Sequence, residues 1–241
     1  MNLRTEFLLV LIGIGGGFIQ RVSGFGLGIF VMLFLPYFMP THTAAAAIAA
    51  LFSGATSTFN AIRYRKNISY KIAFPMICAS LLSIPVAVRF SKAVSGNLFQ
   101  ILLGAVLVAL SLYFMFFNQN LRLKPTVANG VLSGALSGIL GGLFSTGGPP
   151  AVLYLSSAID QNMTYFATIQ FYFCFTNWDA TAMRAFSGIL DLEILIWAVI
   201  GIFGCMTGDF IGKKVFDRLD SRKLKQVIYV GMLISGIVMF F

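Results

Sequence analysis

The 241-residue sequence has few charged residues, and this shortage limits the kind of protein it can encode. Asp, Glu, Lys and Arg make up 10% of the chain, whereas 58% is hydrophobic and the mean hydropathy is +0.88. A soluble domain of this size cannot bury so much apolar surface, so a lipid bilayer must be its solvent. The composition predicts an all-α integral membrane protein. Its excess of basic residues is a topology signal and does not indicate a nucleic-acid partner.

Histidine and cysteine are also scarce, which excludes several kinds of site. His42 is the single histidine, so a histidine cluster for a metal or a proton relay is excluded. The cysteines, Cys78, Cys174 and Cys205, lie far apart in apolar segments and predict neither a metal site nor a disulfide framework. The 8 acidic residues lie mostly near the ends of apolar runs or in loops, so no convergent base and nucleophile are visible. We therefore expect no cofactor and no catalytic residues.

Two apolar runs are interrupted by glycine and proline. The first, Leu3 to Pro40, is broken at GGGFIQRVSGFGLG, and the second, about Thr126 to Ile159, contains ILGGLFSTGGPPAVLY. The first run as one helix would be about 57 Å long, too long for one crossing of about 30 Å of hydrocarbon and short for two. Bare backbone in lipid must be covered by protein or line a polar cavity. Each run therefore predicts a re-entrant helical hairpin or a sharply broken helix. For the second run, the alternative is a kinked helix that binds no ligand.

Three uninterrupted apolar runs follow each broken run, and this order occurs twice. The predicted spans are Thr43–Ile62, Ile72–Phe90 and Leu98–Phe117 in the first half, and Met163–Phe186, Leu192–Ile211 and Leu224–Phe241 in the second. SGFG (Ser23 to Gly26) and TGGP (Thr146 to Pro149) occupy equivalent places in the two halves. The pattern indicates an internal duplication of the kind found in transporters, with residues 1–120 and 121–241 as the two repeats.

The positions of Lys and Arg favour one topology. If all eight runs cross once, the basic residues other than Arg21 split 8 to 8 between the two sides. If each broken run returns to the side it entered from, one side has twelve and the other keeps Arg4, Arg89, Lys92 and Arg184. Because cytoplasmic loops carry the excess of Lys and Arg, the second count favours hairpins. Three full spans per half then make the repeats inverted, with both termini outside the cell and the two hairpin tips meeting near the bilayer midplane.

The hairpin tips carry residues that suit an anion site. The Pro149-Pro150 pair fits the first turn of a helix, whose N-terminus is partly positive and has unpaired N–H donors. Glycine is expected here because a Cβ would hold an anion away from the backbone and would oppose a positive φ. The predicted substrate-binding residues are Gln20, Arg21, Ser23, Gly24, Ser145, Thr146, Gly147, Gly148 and Pro149.

Arg21 is the most informative single residue. A guanidinium at a hairpin tip in lipid is costly and faces either a partner or a water-filled cavity. It could hold an oxyanion through two parallel hydrogen bonds. The alternatives are an internal ion pair with Asp179 or Asp209, or a tip shallow enough to reach the lipid headgroups. Either acid is a candidate for a coupling proton or for that structural pair.

Polar residues at helical spacing mark further faces that we expect to point into the bundle. On the span Met163–Phe186 these residues are Gln170, Cys174, Asn177, Thr181 and Arg184. On the span Thr43–Ile62 they are Ser53, Thr56, Ser57 and Asn60. Gly204, Gly208 and Gly212, spaced by four, predict the close approach of another helix.

The segments GFIQRVSGFGLG and GILGGLFSTGGPPAVLYL resemble the paired signature segments of the TauE/SafE sulfite-exporter family. The resemblance covers both halves and implies transport of sulfite or organosulfonates across the bacterial cytoplasmic membrane. It also implies that the substrate binds at the tips, Gln20–Gly26 and Ser145–Pro150. The alternative from another class is a membrane-embedded enzyme or an accessory subunit of a membrane complex. The sequence is compatible with a homo-oligomer. It does not specify the anion, the direction of transport or the coupling ion.

Overall fold

The computed structural model describes residues 3–116, 123–215, 230, 233–234 and 236–240, and within these ranges the regular elements are all helices. The α-helices are α1 (Leu3–Ser23), α2 (Leu27–Phe34), α3 (His42–Arg63), α4 (Tyr70–Ala93), α5 (Gly96–Phe116), α6 (Val127–Phe144), α7 (Gly148–Ala158), α8 (Asn162–Phe186) and α9 (Leu192–Val215). Short 3-10 turns, Leu35–Tyr37 and Arg65–Asn67, follow α2 and α3.

Six of the described helices, α1, α3, α4, α5, α6 and α9, are long and apolar enough to cross a membrane. Four of them confirm predicted spans, with small differences at their ends. Helix α8 forms where a span was predicted and has 25 residues, but its polar side chains leave it outside that group of six. The predicted span Leu224–Phe241 lies mostly outside the described residues, and the repeat boundary at residues 120 and 121 lies wholly outside them. The fold is that of an all-helical, multi-pass membrane protein.

Both predicted breaks are present, and each contains left-handed backbone. In the first, Gly24 and Gly26 have φ values of 82° and 97°, which glycine adopts because it has no Cβ. In the second, Ser145 ends α6 with a φ of 56°. The expected positive φ at a glycine of this second break is wrong, since Gly147 has a φ of −68°. Helix α3 holds the serine in place, because the Ser145 hydroxyl donates to the carbonyl oxygen of Ala46 at 2.7 Å.

Each short helix lies back along the long helix before it. In the first hairpin, α1 and α2, the side chains of Leu27 and Val31 lie against Gly16. In the second hairpin, α6 and α7, the Tyr154 hydroxyl donates to the carbonyl of Thr126 at 3.1 Å. The arms are unequal, with 21 and 8 residues in the first hairpin and 18 and 11 in the second.

The long arm of the first hairpin packs in parallel against α9, in the other half of the chain. A Cβ at Gly204 would overlap the backbone of Val10, and one at Gly208 would overlap that of Ile14. A Cβ at Gly212 would lie 2.9 Å from the Cβ of Arg21, near the end of α1, so the predicted close approach at all three glycines is confirmed. Only residues without a side chain allow two helices to come this near.

The long arm of the second hairpin packs against α4, in the first half of the chain. Gly134 lies against the backbone of Met76, and Gly142 lies against that of Ile84, so α6 and α4 are also parallel. Each half of the chain therefore holds the long arm of the other half's hairpin. Helices α3 and α8 pack against each other, and 78% of the most apolar part of α3 is buried in the protein.

Candidate functional site

The two breaks touch each other, and a cavity lies between them. A Cβ at Gly28 would overlap the carbonyl oxygen of Ser145, and Gly148 lies against the ring of Phe25. The cavity is small, with a volume of about 30 Å³, and it is partly open to the outside. Residues 25–29 of the first hairpin and residues 145–148 of the second form much of its wall, with contributions from α3, α4 and α8. The expectation that the two tips meet is confirmed.

Both short helices begin at this cavity, and neither has a side-chain cap. The N-cap residues are Gly26 for α2 and Gly147 for α7, and neither makes a side-chain hydrogen bond. The first N–H groups of a helix have no partner within the helix and carry partial positive charge. In α7, Pro149 and Pro150 have no N–H, so its free donors are those of Gly147 and Gly148. Two sets of backbone donors therefore face one space.

The hydroxyl groups of the second break differ in whether they are already used. Thr146 is 1% exposed, lines the cavity, and has a buried hydroxyl without a hydrogen-bond partner in the structure. Ser145 also lines the cavity, but its hydroxyl already donates a hydrogen bond to the carbonyl oxygen of Ala46. The hydroxyl of Ser137 donates to the carbonyl of Gly147 and so fixes the start of α7. Of these three hydroxyls, only that of Thr146 is free to bind a ligand.

Gln20 lines the cavity as part of a buried polar network. Its side-chain nitrogen donates to Ser57 at 2.9 Å and to Gln170 at 2.8 Å. The side-chain nitrogen of Gln170 in turn donates to the carbonyl of Gly24 at 2.8 Å, which links α8 to the first break. The predicted polar faces of α3 and α8 are joined here, because Gln20 contacts Ser57 on α3 and Gln170 on α8.

Ser23, Gly24 and Pro149, three of the predicted site residues, support the cavity and do not form its wall. The Ser23 hydroxyl donates to the carbonyl of Ile19 at 2.7 Å, which stabilises the end of α1. The Gly24 carbonyl accepts from Gln170, and Pro149 lies in the first turn of α7. Gln20, Ser145, Thr146, Gly147 and Gly148 are the predicted residues that do line it.

Arg21 lies outside the cavity wall and is bound to protein groups. Its Nη1 donates to Asn60 at 3.2 Å, and its Nη2 donates to the hydroxyl of Tyr64 at 2.7 Å. The guanidinium also lies over the ring of Phe166, with its central carbon 4.8 Å from the centroid. Asn60 in turn donates to Asp209 at 2.8 Å. Arg21 and Asp209, both buried, are therefore joined through one amide side chain.

Asp179 and Arg184, on α8, each have a buried atom without a hydrogen-bond partner. Asp179 is half-buried, and its Oδ2 is the unpartnered atom. Arg184 is 1% exposed; its Nη2 donates to the carbonyls of Gly141 and Gly142 at 3.2 Å and 2.9 Å, while its Nη1 is unpartnered. Arg184, which the charge count assigns to the side with fewer basic residues, is therefore buried within the protein.

Several polar residues of the cavity wall were not among the predicted site residues. They are Ser53, Ser137, Thr176 and Asn177. Ser53 and Asn177 belong to the polar faces predicted for α3 and α8, so helical periodicity could have found them. Ser137 lies in a run of small residues and Thr176 breaks the spacing of the α8 face, so neither carries a sequence signal. The whole arrangement is a set of neutral donors around a small space, which suits an anion.

Known proteins resemble this chain over nearly its whole length. Residues 9–239 match the family described as Sulfite exporter TauE/SafE. A curated relative from Cupriavidus necator, described as "Probable sulfite/organosulfonate exporter TauE", is 23% identical over 242 residues, covering 95% of this chain and 94% of that protein. No solved structure matches the chain. The resemblance of the two glycine-rich segments is thereby confirmed: the chain belongs to the TauE/SafE family and is a membrane transporter, not an enzyme.

Proposed function

We propose that this transporter moves small sulfur-containing oxyanions, sulfite or organosulfonates, across the cytoplasmic membrane. The observation that carries the proposal is the convergence of two uncapped helix N-termini and the unpartnered Thr146 hydroxyl on one cavity. Three oxygens on one sulfur atom need several donors in a small arc, which this arrangement supplies. The printed name of the C. necator relative supports the same class of substrate.

The proposed binding residues are those of the two tips, with a division of roles between them. Thr146, Gly147 and Gly148, together with the N-terminus of α2, contact the anion. Gln20, Ser23, Gly24, Ser145 and Pro149 hold the two helix starts in place through the contacts described above. Arg21 and Asp209 act as a structural pair bridged by Asn60. Asp179, with its unpartnered oxygen, is the candidate for a coupling proton.

The proposed architecture is two inverted repeats, each a re-entrant hairpin followed by three spans. Helix α1 is parallel to α9, and α6 is parallel to α4. The long arm of each hairpin thus packs against a helix from the other half of the chain, which supports this architecture. Because three crossings separate the two hairpins, they enter from opposite faces and meet at the middle of the bilayer. The excess of Lys and Arg then puts both termini outside the cell.

The test is a flux assay with purified protein in liposomes. We expect labelled sulfite and a short alkanesulfonate to cross the bilayer only when the protein is present, with saturation as the concentration rises. A Thr146→Val variant, inserted at the same density, serves as the matched control and should be slower at low substrate concentration. Liposomes that show no protein-dependent flux for any sulfur oxyanion would contradict the proposal.

A further inference from the structure

The wall of the cavity carries donors but no formal charge. Among the described residues that line it, none is Asp, Glu, Lys, Arg or His. Its polar side chains are hydroxyls and amides, such as those of Ser53, Thr146 and Asn177. The cost of moving an ion out of water grows with the square of its charge, so a dianion costs about four times as much as a monoanion. A neutral cavity therefore discriminates between charge states.

One buried cation lies directly behind this wall. Gly141 lines the cavity, and its carbonyl oxygen accepts a hydrogen bond from Arg184 at 3.2 Å. The guanidinium is 1% exposed, and its only described partners are the carbonyls at the end of α6, which are only partly negative. Its Nη1 is buried without a partner. Arg21, by contrast, is connected through Asn60 to the carboxylate of Asp209.

The uncharged wall and the single buried cation behind it determine which charge state of an anion the cavity can bind. We infer that the cavity takes singly charged sulfo-oxyanions, alkanesulfonates or hydrogensulfite, and rejects the dianions sulfite and sulfate, with the buried guanidinium of Arg184 as the single counter-charge. The inference rests on the proposed function, because it specifies the substrate of the same cavity. The wall also has an apolar part, which includes Phe25, Leu27 and Phe173 and would contact a short alkyl group on the sulfur.

Three anions separate the charge states in a binding experiment on the detergent-solubilised protein. Methanesulfonate is a monoanion at every pH used, sulfate is a dianion, and sulfite takes up one proton near neutral pH. By calorimetry, we expect methanesulfonate to bind equally well from mildly acidic to mildly alkaline pH. Sulfite should bind more weakly as the pH rises, in proportion to the remaining hydrogensulfite, and sulfate should not compete.

The methanesulfonate series is also the control for titration of the protein. Two acids on the described helices could titrate, Asp179 on α8 and Asp209 on α9, the second of which faces Arg21, Arg63 and Lys213. A change in either carboxyl would alter methanesulfonate binding too, whereas protonation of sulfite itself would not. Sulfate that competes as well as methanesulfonate would overturn the inference while leaving the proposed function intact. Absence of binding by all three anions would instead contradict the proposed function.

The role of Arg184 is tested by comparing methanesulfonate with dimethyl sulfone, a neutral molecule of nearly the same shape. In Arg184→Gln, the preference for the anion over the sulfone should fall at least tenfold, while Arg184→Lys should keep most of it. A purely structural loss would weaken both ligands alike and leave their ratio unchanged, and that result would remove Arg184 from the account. If Arg184→Gln does not fold, the comparison of Arg184→Lys with wild type and the three-anion panel still decide the inference.

Discussion

Thr146→Val separates ligand binding from folding more cleanly than any other single change. Valine has nearly the same shape as threonine, and the hydroxyl it removes is buried without a protein partner. Burying an unpartnered hydroxyl is unfavourable, so the ligand-free variant should be as stable as wild type or more stable. A hydrogen bond to a charged group contributes about 1.5–3 kcal/mol. At about 1.4 kcal/mol per tenfold change, the affinity for methanesulfonate should fall about ten- to a hundredfold.

Ser145→Ala is the matched control, one residue earlier in the same break. Its hydroxyl donates to the carbonyl of Ala46, so alanine should cost about 1 kcal/mol of stability and change the affinity only slightly. Thermal unfolding without ligand and calorimetric titration with methanesulfonate give the two readouts on both variants. The reasoning is refuted if Thr146→Val binds like wild type, or if Ser145→Ala loses as much affinity as Thr146→Val does.

Three other changes test the remaining parts of the account. Arg21→Met should lower the thermal unfolding temperature, because it removes hydrogen bonds to Asn60 and Tyr64. Adding Asp209→Asn should restore part of that temperature, because it removes the carboxylate left without its counter-charge. A variant Arg21→Met that is fully stable but has lost anion affinity would show a binding role instead. Gly28→Ala should cost about 1–3 kcal/mol of stability, measured by denaturation, because its Cβ would overlap the carbonyl of the facing break. Cysteines at Lys66 and Lys124, in a background without native cysteines, should react with an impermeant reagent only after the cells are opened, and labelling from outside would reverse the topology.

The helices and their breaks were largely predictable from the sequence, because local chemistry sets them. Gly24 and Gly26 follow the end of α1, and the Pro149-Pro150 pair placed the start of α7. The denser glycines, such as Gly15–Gly17 and Gly141–Gly142, lie inside α1 and α6 and do not end them. Threonine is a favoured N-cap residue, and the hydroxyl of Thr41 accepts the N–H of Ala44 at 3.1 Å at the start of α3. These features depend on a few adjacent residues. They need no knowledge of the rest of the fold.

The partners of charged side chains were not predictable in the same way. Arg21 was known to need a partner, but its partners Asn60 and Tyr64 lie 39 and 43 residues away along the chain. Arg184 stands at the end of a predicted span, where a basic residue normally marks a membrane face, and only the packing of α6 against α8 shows it to be buried. Which group satisfies a charge depends on tertiary packing, and periodicity in one helix contains no information about that.

The glycine of the second break shows a smaller error of the same kind. A positive φ was expected at glycine, yet the left-handed residue is Ser145, whose conformation is stabilised by a hydrogen bond to α3. Gly147 is needed for space instead, since a Cβ there would overlap the carbonyl of Ser137. The sequence indicated that glycine is needed in this break. The physical reason, close contact with α6, is visible only in the folded structure.

The most direct test of the central claim is a structure of the protein with bound 2-bromoethanesulfonate, whose bromine can be located by anomalous scattering. The account predicts sulfonate oxygens within about 3 Å of the Thr146 hydroxyl and of N–H groups at the starts of α2 and α7. The bromoethyl group should lie along the apolar wall near Phe25 and Phe173. A sulfonate bound instead to the guanidinium of Arg21, with its bonds to Asn60 and Tyr64 broken, would contradict the claim.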